Sequence, residues 1–213
     1  MEFKLNNKGF SLREFILVLL IVTIASVFFL NMFFKANKDL PNQNFRNLAK
    51  DFAYRSTSLR DQDVRYAYKV YLYDAIEHNI ISPIYSPYKK TEKCDLYESK
   101  VIFDDSNGRK VTLKCSNYLI FNENGFGDPS SFTIYKVSKW TDKELTGSNV
   151  QKQKFYNYSV NGNMILDRFM IEREFLDAYS KKSGQNILDI SQVDKSKFQL
   201  EEKMYYRTMD QVE

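Results

Sequence analysis

Residues Phe15–Phe34 read FILVLLIVTIASVFFLNMFF, twenty positions without a charge. Thr23, Ser26 and Asn31 are the only polar members. A helix of that length, rising about 1.5 Å per residue, covers about 30 Å, the thickness of a bilayer's hydrocarbon core. The rest of the chain is polar, so this is its one spanning candidate. Lys4, Lys8 and Arg13 stand before it. That placement predicts an N-terminus in the cytoplasm, with everything after residue 34 outside the inner membrane. An ordinary cleaved signal has an apolar region of about 7–15 residues ending at small residues. This run is too long, and Thr23-Ile24-Ala25 within it makes a poor cleavage site. A plain membrane anchor remains, beside a reading that depends on the residues just before the run.

Those residues are Lys8-Gly9-Phe10-Ser11-Leu12-Arg13-Glu14. They resemble the type IV prepilin signature, in which a basic leader ends in Gly, then Phe, Ser or Thr, Leu, any residue and Glu precede an apolar helix. The resemblance implies cleavage between Gly9 and Phe10 by a dedicated prepilin peptidase, and methylation of Phe10. Cutting there leaves the apolar helix in the product, unlike ordinary signal processing. A carboxylate in a membrane helix costs roughly 2.5–3.5 kcal/mol at its centre. In the family a neighbour's terminal amine meets that charge, so Glu14 is expected to pair with Phe10 of the next subunit and set axial register. The bland alternative leaves Glu14 at the interface beside Arg13 and Lys8. Two departures stand out. Arg13 occupies a usually apolar position, where it can snorkel to the headgroups. The apolar run also lacks the proline usual in major pilins, which points to a minor subunit.

Beyond the membrane, Pro41 predicts a local break or bend. Phe45, Leu48, Ala49, Phe52, Ala53 and Leu59 then recur at helical spacing, one face of a stem helix that packs on a head. The alternative, a helix lying on the membrane surface, fits less well because Asp51 interrupts its basic face. Asp61-Gln62-Asp63 ends the pattern. Val64–Tyr73, rich in Tyr and Val with period-two character, predicts a strand, with continued helix as the alternative. Val101–Phe103 and Val111–Leu113 predict a hairpin about Asn107-Gly108. Tyr118–Phe121 and Phe132–Val137 predict two further strands. Ile120-Phe121-Asn122-Glu123-Asn124-Gly125 with Phe132-Thr133-Ile134 resembles a strand-turn signature of the GspH/FimT-type minor pseudopilins. The expected organisation is a cleaved leader (1–9), a transmembrane helix (10–34), the outer half of the stem (35–62), a β-sheet head (63–137) and a C-terminal elaboration (138–213). The class is α+β, with a long helix packed on an antiparallel sheet. In residues 138–213, Phe155–Val160 with Met164–Leu166 reads as a hairpin. Ile165, Phe169, Leu176 and Tyr179 read instead as a helix ending near Gly184. The charged final segment stays ambiguous.

The chain carries 31 basic and 27 acidic side chains, a formal +4, of which residues 1–39 hold half. A head at +2 is too weakly basic to argue for nucleic acid by charge alone. Lys89, Lys90 and Lys93 do lie near Tyr85, Tyr88 and Tyr97, and Lys152 and Lys154 near Phe155, Tyr156 and Tyr158. Such interleaving can grip a DNA strand by charge and stacking. A solvated face over a Tyr-rich sheet is the favoured reading. Cys94 and Cys115, outside the inner membrane, are expected to form one disulfide, with free thiols as the alternative. Neither a metal site nor a cofactor is expected: two cysteines and the single histidine, His78, lack ligand spacing, and no phosphate loop or dinucleotide fingerprint is present. No catalytic constellation stands out, and His78 reads as an exposed or capping residue. The resemblance implies a non-catalytic minor pilin or pseudopilin that helps initiate or cap a filament. Its expected partners are other pilins, the prepilin peptidase and an inner-membrane assembly platform, in a type II secretion, pilus or DNA-uptake machine.

Overall fold

The computed structural model describes residues 12–104, 108–122 and 131–212, without the side chains of residue 14 and residues 35–38. The chain divides into two units, one ending at Gln43 and the other running Asn44–Glu213. One helix, α1 (Leu12–Gln62), contributes to both. In the first unit it is long and apolar enough to cross a membrane, and its side chains from Phe15 to Phe34 are exposed. Two of its polar members are satisfied internally. Thr23 Oγ1 donates to the Leu20 carbonyl at 2.8 Å and Ser26 Oγ to Val22 at 2.7 Å. Such back-bonding is what an apolar surrounding requires of a hydroxyl. The expected break at Pro41 does not occur, since Pro41 lies inside α1. Proline removes one i→i−4 bond, but helical bonding is cooperative and full turns on both sides carry the helix through.

The second unit is an antiparallel sheet with helices on it. Its strands are β1 (Lys69–Tyr71), β2 (Lys100–Phe103), β3 (Arg109–Cys115), β4 (Tyr118–Asn122), β5 (Phe132–Val137), β6 (Val150–Val160), β7 (Asn163–Met164), β8 (Met170–Ile171) and β9 (Gln199–Gln211). Their order is β1-β2-β3-β4-β5-β9-β6-β7, with β8 on β6. The expected hairpin is present as β2–β3, with Val101 opposite Val111. Its Asn107 lies outside the described residues. The other two predicted strands pair as β4–β5, Ile120 opposite Ile134. The Glu123–Gly125 part of the strand-turn signature falls outside the described residues.

The single strand expected over 64–73 is instead three elements: a 3-10 turn at Val64–Tyr66, β1, and helix α2 (Leu72–Glu77). Local capping overrides the alternation. The Asp63 side chain accepts from the Arg65 amide at 2.9 Å and starts the turn, and Asp74 accepts from the Tyr71 amide at 3.3 Å and starts α2.

One core lies where the outer half of α1 meets β1–β5. Phe45, Ala49, Phe52, Ala53 and Leu59 are buried against Val70, Val101, Val111, Leu113, Ile120 and Ile134. That is the helical face read from the sequence. A second core lies between β6 and α3 (Glu172–Ser183), built on Tyr156, Tyr158, Phe175, Leu176 and Tyr179. Both readings of residues 155–184 hold in part. A short hairpin joins β6 to β7 through Asn161 and Gly162, whose φ of 51° and 78° suit a type I′ turn. The helix follows and ends at Gly184, φ 71°. The ambiguous final segment is β9. It runs beside β6 from Val150↔Thr208 to Ser159↔Gln199 and then meets β5, with Tyr135 opposite Gln211. Residues 138–213 are therefore continuous with the head's sheet.

Cys94 and Cys115 are disulfide-bonded, with Cα atoms 4.0 Å apart. The bond fastens the loop before β2 to β3, where Cys94 bridges Cys115 and the Asp95 amide donates to the Lys114 carbonyl at 2.7 Å. Replacing both cysteines by serine is expected to lower stability by about 3 kcal/mol, the chain-entropy value for a loop of this size. Denaturant unfolding of the full chain in detergent micelles, with and without reductant, measures it.

Candidate functional site

Gly9 and Phe10, the expected processing pair, and the Glu14 side chain lie outside the described residues. What the structure gives is the surface that follows them. From Phe15 to Phe34 every large apolar side chain is exposed, Phe29 by 72% and Val18 by 46%. Patches of a few hundred Å² on a soluble protein mark binding surfaces. A continuous apolar cylinder of twenty residues demands lipid or other helices around it.

The lysines singled out in the sequence sit on the disulfide-held loop. Lys89, Lys90 and Lys93 are all exposed. Lys89 Nζ is 2.9 Å from Glu92 Oε1. Lys90 borders a shallow groove beside α1, shared with Leu48, Tyr85 and Pro87. Their aromatic neighbours are mostly committed elsewhere. Tyr88 stacks on Tyr118 at 3.7 Å between ring centres and meets Phe45 edge-on at 5.6 Å. Tyr97 is hydrogen-bonded inside the head, which leaves Tyr85 as the open ring of the three. In the second cluster Phe155, Tyr156 and Tyr158 are buried, and Lys154 Nζ is 2.7 Å from Glu202. Those rings belong to the core of the β6 layer and offer no stacking platform. Period-two alternation hid this, because β6 is covered on both faces over that stretch.

A polar cluster that sequence reasoning missed fastens α3 to α2 and to the loop before β2. Asp95 accepts from the Tyr97 and Glu98 amides at 3.0 and 2.8 Å, an Asx turn that fixes both side chains. Tyr97 and Tyr73 stack with ring centres 5.1 Å apart. Both hydroxyls donate to Asp177 of α3, at 3.0 and 2.9 Å, and Lys181 donates to the same carboxylate at 2.7 Å. Next to it Arg173 and Asp74 form a buried pair, Nη2 to Oδ1 2.5 Å and Nε to Oδ1 3.1 Å. The only trace of this in the sequence is the i,i+4 spacing of Asp177 and Lys181. The remaining partners come from residues about a hundred positions away.

The electrostatics follow from these contacts. Burial alone would raise Asp177, but the hydrogen bonds from Lys181, Tyr73 and Tyr97 outweigh it and hold the carboxyl below its ordinary value. Burial, together with Asp177, pushes both tyrosines well above theirs. Burial pushes Tyr66 up to about 12. Its hydroxyl is 3.0 Å from His78 Nε2. His78 is exposed and caps the end of α2, as expected. An ionised acid surrounded by protonated phenols has its donors and acceptors matched, so this geometry serves as a clamp. No group of three or more His, Cys, Asp or Glu suited to a metal ion occurs among the described residues.

Compared with known protein families, curated proteins and solved structures, the chain matches none.

Asp177→Asn is expected to cost about 1.5–3 kcal/mol at pH 7, the range for hydrogen bonds to a charged group. The depressed folded-state pKa sets the sign. The contribution is complete above the unfolded value near 4 and is lost as pH falls through the lower folded value. Denaturant curves of both forms from pH 7 to pH 3 should therefore draw closer toward the acid end.

Proposed function

We propose that this protein is a minor pilin or pseudopilin, a non-catalytic subunit that helps start or cap a short filament in a secretion, pilus or DNA-uptake machine. One observation carries the reading: a single helix, α1, whose first residues Leu12-Arg13-Glu14 complete the sequence Gly9-Phe10-Ser11-Leu12-Arg13-Glu14, presents a membrane-length apolar surface and then buries its outer face beneath an antiparallel sheet. A plain anchor needs the apolar run but not the continuation of the same helix into the head. It also gives no reason for a carboxylate at position 14. In the proposed role the prepilin peptidase cuts after Gly9. The helix stays in the inner membrane with its start at the cytoplasmic side and the head beyond the outer leaflet. Assembly on the platform protein then packs helices of several subunits together. Glu14 would meet the amine of Phe10 on a neighbour, where a charge in a low-dielectric surrounding needs a counter-charge. Closed-off aromatic rings and a weakly charged head favour a structural role over a direct grip on DNA.

The test is the mass of the N-terminal peptide of protein recovered from its own cells. The expected result is a chain starting at N-methylated Phe10. An intact Met1 in cells with active peptidase would sink the proposal. With processing established, Glu14→Ala is expected to reduce recovery of the protein in sheared filaments at least tenfold while membrane levels stay unchanged.

A further inference from the structure

The sheet face turned away from α1 borders a small, partly open polar cavity. In β2 and β3, Val101, Val111 and Leu113 enter the core, which turns Lys100 and its cross-strand partner Thr112 to the other side. Here β6 and β9 add Gln151 and Arg207, opposite each other in register. With Trp140 and the Asx-turned Glu98 these residues line a cavity of about 100 Å³. Arg207 is 2% exposed. Its Nε donates to Gln151 at 2.8 Å, its Nη1 to Glu98 at 2.6 Å, and its guanidinium lies 4.2 Å over the Trp140 ring. Glu98 uses its second oxygen to accept from Trp140 Nε1 at 3.1 Å.

The charges around this cavity do not balance. Glu98 is taken by Arg207, Glu172 by Lys69 at 3.6 Å, and the nearby Arg173 is paired with Asp74. Lys100 is half-buried, and among the described residues no carboxylate lies within ion-pair distance of it; the Tyr71 ring stands 6.0 Å away. Arg207 commits its Nε to Gln151 and its Nη1 to Glu98. Burial holds Lys100 and Arg207, and the neighbouring Lys114, below their ordinary values, and outweighs the carboxylates that pull the other way, Glu98 for all three and Glu172 for Lys100.

We propose that this cavity is a binding site for a small carboxylate, held by Lys100 Nζ and Arg207 Nη2 with the Thr112 hydroxyl and the Gln151 amide as further donors. One uncompensated cation matches a monoanion. The volume suits a carboxylate on a short carbon stem. A guanidinium fixed against an indole face presents its remaining N–H groups in a set plane, the geometry a carboxylate accepts. The site is independent of the filament reading.

Trp140 is the sole tryptophan, so it reports on the cavity directly. The full chain in detergent micelles is titrated with sodium acetate against sodium chloride at equal ionic strength. The expected result is a saturable change in Trp140 emission with acetate alone. Lys100→Gln should weaken the apparent affinity about tenfold, the loss of one charged hydrogen bond. Lys100→Arg should largely retain it, which separates charge from folding. Equal responses to acetate and chloride, or unchanged affinity in Lys100→Gln, would overturn the proposal. A short peptide with a free C-terminus and its amidated form then compete with acetate. Competition by the free form alone makes a chain end the source. Competition by neither leaves a free small carboxylate. Equal competition by the amidated form overturns carboxylate recognition.

Discussion

The burial of one face of α1 beneath β1–β5 is the contact on which the head depends. Phe45, Phe52 and Leu59, with the small Ala49 and Ala53 between them, let the sheet approach the helix closely, and all five are 2% exposed or less. Two phenylalanines and a leucine at that depth contribute several kcal/mol by burial alone. Because the helix covers one face of β2 and β3, their alternate residues must go to the other face. That alternation is why Lys100, Thr112 and Lys114 share a side, and why a polar surface was there for the β6–β9 layer to close over.

Strand β9 turns two cores into one head. It is the last strand in sequence but lies between β5 and β6, so the chain returns through the middle of its own sheet. Its side chains meet partners far off in sequence: Glu202 with Lys154, Lys203 with Asp142, Arg207 with Gln151 and Glu98. The Tyr73–Tyr97–Asp177 clamp joins the same two layers from the helical side. A partner removed from such a buried group leaves the other unsatisfied, which costs more than the bond itself contributes.

Much of the first half was legible because its signals are local. The β2–β3 and β4–β5 pairs follow from alternation and turn residues, and the stem face follows from helical spacing. Residues 64–73 were misread as one strand because Asp63 and Asp74 cap a turn and a helix around a stretch that also alternates. Pro41 does not break the helix because one lost bond does not stop a helix supported on both sides. The lysine-aromatic clusters, for which a solvated face was the favoured reading, could be told apart only once the rings were placed: Tyr85 stays exposed beside its lysines. Once Tyr156 and Tyr158 pack on Phe175, they belong to the core.

By itself the sequence determined the apolar helix and the face of its continuation that is buried. Each of these rests on the order of residues within a few turns. Only the tertiary structure decided the place of β9, the clamp on Asp177 and the cavity of Lys100 and Arg207. Their partners lie tens to more than a hundred residues apart, and polar side chains declare no partner until the fold sets a distance and removes the water.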